Sequence, residues 1–186
     1  MLAAWAGPRP RAVVSFGIAG GLDPALAVGD VIVAEGVVTG AERIEADPLL
    51  AASLRRRFGA RPGWLASAEA PVIDPAAKAL LRAQTNAVAV DMESGPAAAY
   101  AAAHGLPFAA IRAVCDPAGR RLPTLALTAL KPDGGVDLTA VLKGLLREPG
   151  QVPALIAAGR DSARAFRALG RLGRLVDGLR LPHDLS

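Results

Sequence analysis

One stretch constrains the fold of this chain more than any other: Ala87–Ala118, AVAVDMESGPAAAYAAAHGLPFAAIRAVCDPA. Its two short apolar runs, Ala87–Val90 and Phe108–Val114, have the length and composition of buried strands. Between them Gly95–His104 is mostly alanine, a helix that Ser94 is placed to cap and that Gly105 and Pro107 stop. Each strand is followed by acids: Asp91, Met92 and Glu93 after the first, Cys115 and Asp116 after the second. Strand, helix, strand predicts parallel strands of an open α/β sheet, whose C-terminal ends lie side by side and bind ligands. Glu93 and Asp116 are therefore expected to converge on one crevice. A carboxylate that holds a sugar diol and an acid that protonates a leaving group are what cleavage of an N-glycosidic bond requires.

The rest of the chain continues the alternation. Arg11–Gly17 reads as a strand, Gly17–Asp23 as a turn and Val31–Val38 as a second strand. Asp47–Pro48 and Asp74–Pro75 each pair a cap with the residue favoured at the first helical position, predicting helices to about Phe58, ended by Gly59, and through Ala83. Trp64–Ser67 reads as a short strand. After Asp116 an irregular stretch runs to Gly135, with a short helix expected over Leu125–Ala129; helices follow over Asp137–Leu146 and from Pro153 onward. The expected fold is α/β, a mainly parallel or mixed central sheet flanked by helices. Residues 1–150 form the expected domain, with 151–186 a helical extension packed on it.

The 186 residues suit one domain with a sizeable core. No apolar run has the length of a membrane span, and the N-terminus has no charged region ahead of an apolar block, so a cytoplasmic protein without a signal peptide is expected. Cys115 is the only cysteine, which excludes an internal disulfide, and no metal-ligand cluster of Cys and His is visible; no metal or cofactor is expected. The formal net charge of +4 is carried almost wholly by arginine, the lysines being Lys78, Lys131 and Lys143. Few aromatics accompany that charge, so nucleic acid is not the expected partner.

Val90–Ser94 (VDMES), Arg112–Asp116 (RAVCD) and Ser15–Asp30 (SFGIAGGLDPALAVGD) together resemble the nucleoside phosphorylase and nucleosidase superfamily. The segment LTALKPDGGVDLTAVLKGLLREPGQVPALI is similar to one branch, the hopanoid-biosynthesis-associated phosphorylases, and the likeness covers most of the chain from about Pro8. The superfamily resemblance implies cleavage of an adenine nucleoside, with phosphate or water as acceptor and phosphate a co-substrate in the first case. The branch resemblance implies adenosylhopane as substrate, giving adenine and a ribosylated hopanoid. The alternatives are a methylthioadenosine/S-adenosylhomocysteine-type nucleosidase and a non-catalytic ligand-binding paralogue. Relatives begin with a further strand and helix, and that strand carries the water-activating Glu of the nucleosidases and phosphate contacts of the phosphorylases. Leu2–Ala6 reads as a remnant of that helix, so either a misassigned start or a shortened paralogue is expected. Assembly through dimers is the implied quaternary state.

Each site residue has a plainer reading beside the one the resemblance implies. Asp116 is either a cap for the Pro117–Gly119 turn or, by resemblance, the group near purine N7 that shares a proton with the departing base. Glu93 is either a surface ion-pair partner or the carboxylate that accepts from both ribose hydroxyls. Met92 is core filler or packs on sugar and base. Ile18, Ala19 and Gly20 form a tight turn or the sugar-facing and phosphate- or water-facing segment; phosphorolytic relatives often carry Ser or Thr where Ile18 stands, with an Arg shortly before it. Arg112, four residues before Asp116 in one strand, is expected on the same face, where it orients Asp116 or forms a structural ion pair. Cys115, with no histidine placed by motif, reads as a small buried thiol rather than a nucleophile. Finally, Arg160, Arg164, Arg167, Arg171 and Arg174 form one helical stripe, with Phe166, Leu169, Leu172, Val176 and Leu179 roughly opposite. That basic helix either packs with its arginines solvated or rests on an anionic membrane, a peripheral contact at the inner membrane that suits a lipid-linked nucleoside.

Overall fold

The computed structural model describes residues 10–123, 150 and 152–176. The expectations for Leu2–Ala6, Leu125–Ala129 and Asp137–Leu146, and for Leu179, lie outside the described residues. Six strands and four helices follow in the order β1 (Val13–Gly21), β2 (Val31–Thr39), β3 (Glu42–Glu45), α1 (Pro48–Phe58), β4 (Arg61–Ser67), α2 (Pro75–Thr85), β5 (Ala89–Asp91), α3 (Ser94–Ala103), β6 (Phe108–Asp116) and α4 (Val152–Val176) among the described residues. The protein has an α/β fold with a mixed central sheet flanked by helices.

Local chemistry sets the helix ends. Asp47 and Asp74 each accept a hydrogen bond from a backbone N–H of the first turn, Leu50 and Ala76, both at 2.8 Å, with proline at the start of each helix. Gly59 closes α1 in the left-handed region at φ 58°, a conformation glycine adopts without strain. Ser94 does not cap α3. The cap position is Glu93, whose side chain makes no capping bond, and the Ser94 N–H and hydroxyl both donate to Asp91 Oδ1.

The strand order is β3-β2-β4-β5-β1-β6, and β6 also pairs with β2, so the sheet closes on itself and β3 hangs from β2 as a hairpin. The β1–β6, β2–β4 and β4–β5 pairings are parallel, whereas β5 is antiparallel to β1 and β6 to β2. This corrects the expectation of side-by-side parallel ends. β5 and β6 are separated by β1, and β5 runs against both.

β6 is the centre of the core. Every residue from Phe108 to Val114 is buried, as a strand covered on both faces requires. Leu50, Ala51 and Leu54 of α1 and Ala97, Ala98 and Ala101 of α3 pack into the same cluster as Ile32, Val33, Val37 and Ile111. The alanines of α3 let the helix lie close to the strands; at Gly95 a Cβ would collide with the Ser67 side chain. Ala165, Leu169 and Leu172 of α4 join that cluster against β6 and β1. Phe166, expected on the packed stripe, is 59% exposed, while Arg160, Arg164, Arg167 and Arg171 face solvent as expected. The physical reason is spacing: Ala165 and Leu172 are two turns apart, and they centre the buried stripe away from Phe166. No helix among the described residues is long and apolar enough to cross a membrane.

Candidate active site

The glycines of SFGIAGG lie in β1 rather than in a turn. At Gly20 the role is room, not chain reversal. In the parallel β1–β6 ladder Gly17 is opposite Arg112 and Gly20 is opposite Asp116. A Cβ on Gly17 would lie 3.7 Å from the Arg112 guanidinium, and one on Gly20 3.1 Å from Asp116 Oδ1. The two charged side chains of β6 thus lie over the two glycines of its neighbour. Ile18 and Ala19 occupy the strand between them, Ala19 buried and Ile18 partly so.

The ladder shifts register between Ala19 and Gly20, with Cys115 the additional residue on β6. A bulge breaks the alternation of faces, so four-residue spacing no longer places Arg112 and Asp116 together. Arg112 is buried and ion-paired with Asp91, and among the described residues it makes no hydrogen bond to Asp116. Its Nε donates to Asp91, Nη2 donates to Ser15 Oγ at 2.7 Å, and Nη1 donates to the Ile111 carbonyl at 3.0 Å. Asp91 Oδ1 accepts from the Ser94 backbone N–H at 3.2 Å and from the Ser94 hydroxyl. This cluster ties β1, β5, β6 and the start of α3, so Asp91 is a structural residue and fixes where the chain leaves β5.

Asp116 is 4% exposed and pairs with Lys78 of α2, itself 1% exposed. The Lys78 ammonium donates to Asp116 Oδ2 and, at 3.2 Å, to the Pro117 carbonyl. Cys115 Sγ–H donates to Asp116 Oδ1 at 3.3 Å. Burial, and then the negative charge and hydrogen bond of Asp116, push the Cys115 thiol up to about 12. A thiol held protonated in this way is no nucleophile, in line with its reading as an inert cysteine.

Lys78 is the residue that sequence reasoning missed. A signal existed: it lies three positions before Leu81, on the stripe of α2 that packs with Leu22, Ala66, Ala87 and Val90. A lysine within an apolar stripe asks for a buried partner.

Met92 and Glu93 lie just beyond β5. Met92 is 41% exposed, and Glu93 is exposed, its side chain making no hydrogen bond or ion pair among the described residues. Val90 pairs with Gly20 from the side opposite Asp116. Val90 and Asp116 thus flank Gly20 on opposite sides, with β1 between the two strands, which run in opposite directions. A cavity of about 580 Å³ opens between α2 and the turn after β6, lined by Leu22, Pro24, Pro75, Ala79, Arg82 and Ala118 among others, and Asp116 does not line it.

A family model described as the Phosphorylase superfamily matches residues 2–147. The chain belongs to this superfamily. Among superfamily relatives, it is 35% identical over 130 residues to a futalosine hydrolase of Streptomyces coelicolor, covering 59% of this chain and 55% of that protein. It is 29% identical over 139 residues to a 5′-methylthioadenosine/S-adenosylhomocysteine nucleosidase of a Marinomonas species, covering 62% and 60%. The chain thus spans little more than half the length of these relatives. The fold matches a 5′-methylthioadenosine/S-adenosylhomocysteine nucleosidase from Helicobacter pylori at a TM-score of 0.65, with 20% identity over 91% of this chain and 69% of that one. A Helicobacter pylori futalosine hydrolase superposes equally widely, at 0.64.

Proposed function

We propose that this superfamily member cleaves the N-glycosidic bond of an adenine nucleoside. The observation that carries the reading is the arrangement about Gly20: a buried, ion-paired Asp116 on one flank and the strand leading to an unpartnered, exposed Glu93 on the other. Adenine leaves poorly as an anion, so its departure needs a proton or a hydrogen bond at the ring. Asp116 serves that need by relaying to the ring the proton that the attacking water gives up as its oxygen bonds to the anomeric carbon, a role worth about 10²–10⁴-fold for a positioned acid–base group. Glu93 accepts from the ribose hydroxyls and steadies the sugar as it gains oxocarbenium character, and Met92 packs against it. Ile18, Ala19 and Gly20 form the strand surface beneath the sugar.

Water is the acceptor this reading favours. Ser15 Oγ is already engaged by Arg112, and Ile18 brings no hydroxyl to the glycine segment where phosphate would lie. The names of the two relatives, a hydrolase and a nucleosidase, support the same choice. Within the substrate class, Leu127–Ile156 points to an adenosylated hopanoid, and the solvent-facing arginines of α4 beside exposed Phe166 suit such a substrate in an anionic membrane. Adenine release is measured by chromatography from 5′-methylthioadenosine, S-adenosylhomocysteine and adenosylhopane, each with and without phosphate. Release without phosphate supports hydrolysis; a strict phosphate requirement overturns the choice of acceptor, and no release from any of the three overturns the reading.

A further inference from the structure

Lys78 is, with Arg112, one of the two largest fully buried side chains among the described residues. An ammonium is retained in such a place only when it is paired. Its stem is fixed by α2, where Leu81 one turn on packs into a cluster with Leu22 and Val90. Its Nζ grips the end of β6 twice, through Asp116 Oδ2 and the Pro117 carbonyl, just past the bulge at Cys115. The other carboxylate oxygen, Oδ1, lies 3.1 Å from where a Gly20 Cβ would stand, against 3.4 Å for Oδ2, and has the Cys115 thiol as its only hydrogen-bond partner among the described residues.

We propose that Lys78 is a positioning residue for Asp116: its ammonium pins Oδ2 and so leaves Oδ1 aimed over Gly20 toward the departing base. A strand end that follows a bulge is a poor support for a side chain that must be accurately placed. The lysine supplies the missing support from a different element, and it does so by holding both the carboxylate and the next carbonyl. The inference rests on the reading of Asp116 as the group at the leaving base. It goes beyond that reading in assigning a role to a residue that need not touch the substrate.

The test compares Lys78→Met, Lys78→Arg, Asp116→Asn and the double variant Lys78→Met/Asp116→Asn, with adenine release from 5′-methylthioadenosine as the readout and thermal unfolding as the control for folding. Misplacing a reacting group by about 1 Å costs roughly 10²-fold, so Lys78→Met lowers kcat by about that factor while KM stays within roughly threefold. Lys78→Arg restores at least about tenfold of the loss, because a guanidinium can still hold Oδ2. The double variant is no slower than Asp116→Asn alone, since a residue that acts only through Asp116 has nothing left to position. It also carries no unpaired buried charge, so it decides the matter even where Lys78→Met does not fold. Full kcat in folded Lys78→Met, or a double variant slower than Asp116→Asn by the lysine's own factor, overturns the proposal and leaves the reading of Asp116 standing. Full activity in Asp116→Asn, or a wild type that releases no adenine from 5′-methylthioadenosine, S-adenosylhomocysteine or adenosylhopane, overturns both.

Discussion

Replacing Arg112 with methionine should unfold this protein far more easily than its chemistry suggests. Both side chains of the Asp91–Arg112 pair are 1% exposed. Methionine fills much of the arginine's volume, so the loss is electrostatic rather than a cavity. Breaking a buried pair by removing one partner costs about 3–5 kcal/mol, because the remaining charge stays desolvated and uncompensated. Ser94 still donates twice to Asp91 Oδ1, through its N–H and its hydroxyl, which favours the lower half of that range. Against it, Ser15 Oγ and the Ile111 carbonyl each lose a donor. For a chain of this size about 1 kcal/mol moves Tm by roughly 2–4 °C, so Arg112→Met should lower Tm by about 6–20 °C. Circular dichroism melts, checked by urea midpoints, provide the measurement. The double variant Arg112→Met/Asp91→Asn removes both charges and keeps the acceptor for Ser94, so it should regain at least half of the loss. A single variant within about 1 kcal/mol of wild type, or a double no better than the single, would refute the reasoning.

Three further outcomes follow from the same geometry. Glu93→Gln should weaken binding of an adenine nucleoside by about 1.5–3 kcal/mol and leave free adenine unaffected in calorimetry, since charge-assisted bonds to the ribose are what it removes; equal losses for both ligands would make the carboxylate structural. Cys115 should resist alkylation in the folded protein, because with its titration pushed up to about 12 only about one thiol in ten thousand is ionised at pH 8. The folded thiol holds its proton more tightly than a free one, so its contribution to stability is complete below about pH 9 and is lost as pH climbs toward 12; rapid modification of native protein by iodoacetamide at pH 8 would contradict this. Leu169→Ala, within the part of α4 that joins the core, should cost about 2–5 kcal/mol in urea unfolding, whereas a loss under about 1 kcal/mol would show that the helix rests on the sheet without sharing its core.

Much of the local structure was legible in the residues themselves. Asp–Pro pairs at Asp47 and Asp74 announce helix starts and Gly59 a helix stop, because a cap and a left-handed residue act within one turn of the chain. The apolar runs ending at Asp91 and Asp116 announce strands followed by functional groups. β3, in contrast, is the polar segment ERIE, visible as a strand only because it pairs with the end of β2. The extension of β1 through its glycines was hidden for a related reason. Glycine is a poor strand residue alone, and at Gly20 it is favoured by Asp116, on a neighbouring strand nearly a hundred residues away, which leaves little room for a side chain.

The sequence alone thus marked the acids that follow two of the strands, Glu93 and Asp116, and the glycine segment before them. Tertiary structure decided how they are held. It set β5 against β1, closed the sheet through β2 and β6, and inserted the bulge that parts Arg112 from Asp116. It also chose the partners of the buried charges, Asp91 for Arg112 across 21 positions and Lys78 for Asp116 across 38. A cap or a turn is a contest among neighbouring residues, so its outcome can be read from a few letters. A buried charge is satisfied by whichever opposite charge the completed fold brings within reach, and no local pattern names that partner.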